Sequence, residues 1–229
     1  MRVCIIGNSH MGALVKAIKD QPQSLDAEIM AYPGSKLLKG LKINKDYELR
    51  SEDEDVAYLI QKSDIKALSN YQVVILYGCQ LRSARKGENW FEHIKKYDYQ
   101  YSKAFTRENT GDFIKATNHY EFLASNQDAI INMRDTRFIS IPCPMPNESS
   151  PLYSRTALAI ETVQNLAIMM NDIIGLLGVE FMDTPMNLVN SEGVATKREY
   201  KNSRENDFSH LNTEGGKLVL KEIKSYLNL

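Results

Sequence analysis

Residues 1–14 read MRVCIIGNSHMGAL. Its apolar run ends at Gly7 and is followed at once by the polar side chains of Asn8, Ser9 and His10. A short apolar run that stops at a glycine is typical of a fully buried strand. In open α/β folds, functional side chains gather where such strands end. The stretch therefore predicts a first buried strand with a candidate nucleophile, Ser9, at its carboxyl end.

The rest of the chain alternates in the same way between apolar runs and helical patterns. The runs that predict strands of a parallel sheet are 2–7, 27–33, 73–78, 137–142 and 178–183. The patterns that predict helices are 11–19, 56–68, 155–177, which ends before Gly178 as a C-cap, and 214–227. Such alternation predicts an α/β fold with right-handed crossovers and with helices on both faces of the sheet.

Residues 85–135 do not fit this alternation, because about fifty charged and aromatic residues separate two predicted strands. A structureless loop of that length is uncommon in a compact domain, so we expect helices there. These helices form either a cap near the site or an ordinary helical layer with its aromatic side chains in the core. His93 and His119 lie in this segment and are interpreted as surface or structural residues. No linker is visible, and residues 1–229 are predicted to form one domain.

Composition excludes several classes of function. The formal net charge of −1 gives no overall positive field that would attract nucleic acid or an anionic membrane. The three cysteines are too few and too scattered for a disulfide framework, and they favour a reducing, cytoplasmic location. No apolar run is long enough to span a membrane, and the N-terminal run is too short for a signal peptide. No cluster has the spacing of a zinc site.

A second polar group stands near the other end of the chain, where Asp207 and His210 precede the last predicted helix. A serine hydroxyl becomes a good nucleophile only when a neighbouring base accepts its proton. An imidazole does this near neutral pH, and a carboxylate on its other nitrogen fixes the tautomer. An Asp-x-x-His turn can supply both groups from one local segment. Alone, however, this spacing is common at helix starts.

Together, the blocks at 7–9 and 207–212 resemble the SGNH (GDSL-type) hydrolase family. That family carries its serine in an N-terminal Gly-Asp-Ser-like motif and an Asp-x-x-His pair near its C-terminus. Asn8 stands where the family more often has aspartate. The resemblance implies a flavodoxin-like, three-layer α/β/α sandwich around a central parallel sheet. It also implies that Ser9 is the nucleophile, His210 the general base and acid, and Asp207 the residue that orients the histidine.

The resemblance also implies an oxyanion hole. The Ser9 and Gly34 N–H groups would form it together with the side-chain amide of Gln80. Gln80 stands where the family has asparagine, and it keeps the amide donor but adds one methylene group. Because one such donor is worth about 3–4 kcal/mol in the transition state, its placement matters.

The expected activity is hydrolysis of small O-acyl (acetyl) esters of a carbohydrate, without a metal or organic cofactor. Asn8, His10 and Arg82 are candidate substrate-binding residues, and in the family that the chain resembles, Gly-Asp-Ser-His variants are frequent among enzymes that act on O-acylated polysaccharides. Two alternatives stay open: an O-acyltransferase that uses the same triad on a glycan, and a non-catalytic binding protein that retains the fold. The expected partner is a small-molecule or glycan ester.

Overall fold

The structure is a computed structural model. It describes residues 1–22, 25–32, 38, 40–79, 114–115, 117–145, 147–150, 157–193, 195–205 and 207–229. The strands are β1 (Val3–Gly7), β2 (Ala27–Ala31), β3 (Leu41–Ile43), β4 (Leu49–Ser51), β5 (Val73–Cys79), β6 (Arg137–Pro142) and β7 (Glu180–Phe181). The helices are α1 (Met11–Asp20), α2 (Glu54–Lys62), α3 (Asn118–Ser125), α4 (Gln127–Asn132), α5 (Ala157–Gly175) and α6 (Thr213–Tyr226).

Five strands form one sheet in the order β2-β1-β5-β6-β7, and every neighbouring pair is parallel. Successive side chains of a strand point to opposite faces, so each buried strand supplies two cores. On one face, Val3 and Ile5 pack with apolar side chains of α1 and α6. On the other, Cys4 and Ile6 pack with side chains of α2, α3, α4 and α5. The predicted three-layer α/β/α fold is confirmed.

The strands lie where the sequence predicts them, but not all of them have the predicted length. β1, β2, β5 and β6 lie within a residue or two of their predicted ends, whereas the run at 178–183 yields only the two-residue β7. The helix expected over 56–68 ends at Lys62, because the extended Ser63 caps it. The Ser63 hydroxyl donates to the Ile60 carbonyl at 2.8 Å. Leu68 is nevertheless buried, in a separate short 3-10 turn.

The antiparallel hairpin of β3 and β4 was not predicted from the sequence. Its strands have three residues each, and from the sequence the charged residues 44–56, which include β4, indicate only a turn and a helix start. The turn is present, since Asn44 binds the backbone N–H groups of Asp46 and Glu48 at 2.9 Å. The helix start is present as well, because Asp53 caps the N-terminus of α2.

The C-terminal end of the 85–135 segment forms the helices α3 and α4. Their side chains Phe122, Leu123 and Ile130 are buried against the sheet. For these residues, the interpretation as an ordinary helical layer is therefore confirmed. Residues 80–113 lie outside the described part, so the predicted cap stays a prediction there, as does the single domain. None of the helices in the described ranges has the length and apolar character of a membrane crossing.

His119 is a structural residue of this layer and makes the stability of the fold depend on pH. Its ring is buried, and Nε2 lies 2.6 Å from the Ser140 hydroxyl on β6. Within the described ranges, Nδ1 has no hydrogen-bond partner. Burial lowers the pKa of His119 to about 3, so the folded protein holds a neutral ring where the unfolded chain binds a proton.

Because the unfolded state binds more protons between about pH 6.5 and pH 3, the free energy of unfolding falls as the pH drops through that range. Between pH 7 and pH 5 we expect His119 to account for a loss of about 2 kcal/mol. Urea unfolding of the wild type and His119→Gln at both pH values measures this loss. Equal pH dependence of the two proteins would contradict the assignment to His119.

Candidate active site

Ser9 lies at the carboxyl end of β1, in the short turn that leads into α1. The turn is closed by hydrogen bonds from the Met11 N–H to the Asn8 carbonyl and from the Gly12 N–H to the Ser9 carbonyl. The Ser9 side chain is exposed. A buried strand thus fixes the backbone of this serine while its hydroxyl stays accessible.

His210 and Asp207 approach Ser9 from the segment before α6. His210 Nε2 lies 3.1 Å from Ser9 Oγ, and His210 Nδ1 lies 2.8 Å from Asp207 Oδ1. An ionised carboxylate can only accept a hydrogen bond, so Nδ1 carries the ring proton. Nε2 is then the acceptor that faces the Ser9 hydroxyl. The three side chains form one hydrogen-bonded chain from carboxylate to hydroxyl.

Hydrogen bonds to the carboxylate keep Asp207 ionised. Burial of this side chain opposes ionisation, but hydrogen bonds from His210 and Ser209 outweigh burial and hold the pKa of Asp207 below its usual range. The donors to Asp207 Oδ1 include the backbone N–H groups of His210 at 3.1 Å and Ser209 at 3.3 Å. The carboxylate can therefore stabilise a positive charge on the His210 ring.

Close packing of α1 on α6 brings Ser9 and His210 together. Ser9 lies two residues before α1 and His210 three residues before α6, and Gly216 of α6 lies against Ala13 of α1. A Cβ atom at Gly216 would lie 2.5 Å from the Ala13 carbonyl carbon, so the backbones could not come this close with any larger residue. Sequence reasoning missed this contact, although a glycine inside a helical pattern is a signal of close packing.

His10 adds a second imidazole to the site. Its ring stacks on that of His210, with the ring centroids 4.5 Å apart and the planes 25° from parallel. Because adjacent side chains usually point apart, the sequence predicts that His10 is a poor base for Ser9. Its ring lies beside His210 rather than between Ser9 and Asp207. The predicted role of His10 in substrate binding stays a prediction.

Asn8 joins the ends of three strands. Its side-chain amide donates to the Gly78 carbonyl at 2.7 Å, and its Oδ1 accepts from the His10 N–H at 3.0 Å. The Cys143 thiol donates to the same Gly78 carbonyl at 3.0 Å. These buried contacts give Asn8 a structural role, and its predicted role in substrate binding stays untested. The hydrogen bond to the Gly78 carbonyl also requires a donor in the side chain at position 8. An ionised aspartate there has only acceptors and would place one against this carbonyl oxygen.

The other predicted site residues lie outside the described part of the chain. These are Gly34 and Gln80 of the predicted oxyanion hole and the predicted substrate-binding residue Arg82. Ser9, the third predicted donor, has its N–H at the start of α1, where backbone N–H groups favour negative charge. Among the described residues, no group of three His, Cys, Asp or Glu side chains could hold a metal ion.

Comparison with known proteins identifies the fold. No protein-family model matches the chain, and no curated protein matches it either. Among solved structures, the periplasmic domain of a lipopolysaccharide acetyltransferase from Salmonella ser. Paratyphi A matches with a TM-score of 0.53 at 19% identity. The match covers 100% of this chain and 84% of that domain. A candidate acylhydrolase from Bacteroides fragilis matches with a TM-score of 0.51 at 12% identity, over 99% of this chain and 86% of the other.

The chain has an SGNH hydrolase-like fold. At these identities the likeness establishes the fold alone. The distances between Ser9, Asp207 and His210 come from this structure itself and do not depend on the comparisons.

Proposed function

We propose that the protein is a serine-dependent ester hydrolase of the SGNH type that acts on small O-acyl groups, with acetyl groups on a carbohydrate as the favoured substrate. The observation that carries this proposal is the hydrogen-bonded chain from Asp207 through His210 to Ser9, with distances of 2.8 and 3.1 Å. Catalytic hydrogen bonds of this kind need heavy-atom distances of about 2.6–3.2 Å.

In the first half-reaction, Ser9 Oγ attacks the ester carbonyl carbon while its proton passes to His210 Nε2. Asp207 stabilises the resulting imidazolium, and the Ser9 N–H is a donor to the oxyanion. When the tetrahedral intermediate collapses, the ester C–O bond breaks and His210 returns the proton to the leaving alcohol. The acyl group then remains on Ser9.

In the second half-reaction, a water molecule loses a proton to His210 Nε2 and attacks the acyl carbon. The Ser9–acyl bond breaks, and the proton returns to Ser9 Oγ, so that the carboxylic acid leaves and the enzyme is regenerated. The predicted donors Gly34 and Gln80 belong to this proposal as further parts of the oxyanion hole. No cofactor is needed for any of these steps.

An O-acyltransferase is the second candidate, favoured by the similarity to the lipopolysaccharide acetyltransferase domain over the whole length of this chain. It would use the same first half-reaction, and a sugar hydroxyl would replace water in the second. Incubation with an acetyl donor, with and without sugar acceptors, separates the two activities by the product formed: acetate or an acetylated sugar.

A non-catalytic binding protein was the third alternative. A Ser9 hydroxyl far from His210 Nε2 would have supported this alternative, and the 3.1 Å separation counts against it. The cytoplasmic location also remains a proposal, because the similar acetyltransferase domain is periplasmic. Fractionation of cells that express the natural gene distinguishes the two compartments.

Labelling with a fluorophosphonate, read by intact mass, tests the activated serine. We expect one adduct on the wild type and none on Ser9→Ala or His210→Ala, because the first lacks the nucleophile and the second its base. Ser209→Ala is the matched control and should still label, since the Ser209 hydroxyl contacts Asp207 at 3.4 Å rather than His210 Nε2. A wild type that fails to label alongside a labelled serine esterase would contradict the proposal.

A further inference from the structure

The segment between the 3-10 turn Arg198–Tyr200 and α6 carries both Asp207 and His210, and its described residues, 201–205 and 207–212, form no helix and no strand. Its two ends meet, because Lys201 and Leu211 form an isolated antiparallel bridge. The Asn202 N–H donates to the His210 carbonyl at 3.1 Å. A compact loop with joined ends depends on its own side chains for internal order.

Lys201 supplies much of that internal order. Its ammonium donates to the carbonyl oxygens of Arg204 at 2.8 Å and Glu205 at 2.9 Å, and to its neighbour Asn202 at 3.4 Å. An ammonium has three N–H donors, so all three are directed at carbonyl groups of the loop. The same ammonium lies 4.9 Å from the centroid of the Phe208 ring. Phe208 directly follows Asp207 in the sequence.

These contacts lead directly to the acid of the triad. The Arg204 carbonyl, which Lys201 binds, also accepts the Asp207 N–H at 3.2 Å. The Phe208 carbonyl accepts the Asn147 N–H at 2.7 Å, which anchors the far side of the loop to the segment after β6. Lys201 thus holds the backbone on one side of Asp207 and touches the aromatic ring on the other.

We propose that Lys201 is a positioning residue that orders this loop and thereby sets the Asp207–His210–Ser9 geometry. This inference rests on the proposed function, because the side chains that Lys201 positions are those of the proposed triad. Lys201 does not touch the reacting atoms. Its charge acts through the carbonyl groups of the loop, so its loss allows Asp207 to move relative to the His210 ring.

The test compares Lys201→Met with Lys197→Met as a matched control. Both lysines are near the loop and bind carbonyl groups, but among the described residues the Lys197 ammonium binds the Asn187 carbonyl, at 3.0 Å, outside the loop. We expect Lys201→Met to slow fluorophosphonate labelling about 10- to 100-fold, since small misplacements of catalytic groups have effects of that order. Lys197→Met should label at the wild-type rate.

A second readout does not depend on activity. The proton between His210 Nδ1 and Asp207 gives a downfield NMR signal, which Lys201→Met should shift or broaden and Lys197→Met should leave in place. If the wild type shows this signal but does not label, the proposed function fails and the role of Lys201 is still tested by NMR. A Lys201→Met protein with an unchanged signal, or with the wild-type labelling rate, would overturn the inference.

Lys201→Arg separates the charge from the general stability of the loop. It retains a cation near Phe208 with donors for the same carbonyl groups, so it should label several-fold faster than Lys201→Met. Thermal unfolding of all three variants shows whether each is folded. An arginine variant as slow as the methionine variant would also overturn the inference, because the charge would then not be what orders the loop.

Discussion

Replacing Asp207 with asparagine is expected to slow the fluorophosphonate labelling of Ser9 by about 10⁴-fold, the loss in kcat that this change causes in a Ser-His-Asp triad. Asp207 Oδ1 accepts hydrogen bonds from the His210 ring and from two backbone N–H groups. An asparagine can preserve these contacts through its oxygen, but it brings no charge to stabilise the imidazolium. With its amide turned over, it would instead favour the wrong tautomer of His210.

The measurement is the second-order rate constant for labelling, followed by intact mass at neutral pH, where Asp207 is ionised. Asp53→Asn is the matched control, because Asp53 caps α2 through its side-chain oxygen and asparagine caps equally well. A loss of less than tenfold in Asp207→Asn would mean that the carboxylate does not serve the histidine. Circular dichroism of each variant separates this result from unfolding.

The sequence predicts the sheet well because its signal is local. Each buried strand is a short apolar run that ends at a glycine or proline. A parallel strand that is buried on both faces is recognised by such a continuous apolar run, because it shows no alternation of apolar and polar residues. The β3–β4 hairpin has no such run. Its Leu41 and Leu49 are single buried residues in a charged stretch, so neither alternation nor an apolar run could reveal it.

The proximity of Ser9, Asp207 and His210 could be predicted because these residues stand at two recognisable places, a strand end and a turn before a helix. What brings them together could not be predicted. The contact of Gly216 with Ala13 joins residues some two hundred positions apart, and the Asn8–Gly78–Cys143 contacts join three strand ends. Both are tertiary contacts, and no spacing along the chain encodes them.

Lys201 and His10 show the same limit at the level of single side chains. A lysine in a charged loop is usually solvated, and only the folded path of 201–205 turns three carbonyl groups towards its ammonium. The rule that neighbouring side chains point apart says nothing of a ring two hundred residues away, on which His10 stacks. Side-chain direction in loops is thus set by the fold that surrounds them.

Replacing Gly78 with alanine is expected to cause a large loss of stability, about 3–4 kcal/mol in the free energy of unfolding. Gly78 has a φ of +88°, a conformation that costs a residue with a Cβ atom about 1–2 kcal/mol. A Cβ atom there would also lie 2.8 Å from Asn8 Cγ, in a buried region that cannot relax freely. The hydrogen bond from Asn8 to the Gly78 carbonyl would then be strained as well.

Gly40→Ala is the matched control for the backbone part of this loss. Gly40 has a φ of +69°, but a Cβ atom there meets none of the described residues within 4 Å, so the expected loss is the conformational cost of about 1–2 kcal/mol. Urea unfolding of both variants gives the difference, which is the cost of the overlap with Asn8. Equal losses in the two variants would show that the Asn8 side chain moves aside at little cost.

The double variant Gly78→Ala with Asn8→Ala tests the source of the overlap directly. If the new methyl group collides with the Asn8 side chain, shortening that side chain removes the collision, and the double variant loses less than the sum of the single losses. Asn8→Ala alone also removes the hydrogen bonds to Gly78 and His10, which hold the turn of Ser9. The labelling rate of the double variant should therefore fall even if most of its stability is regained. The proposed nucleophile, Ser9, depends on the same Asn8–Gly78 contact that leaves no room for a side chain at position 78.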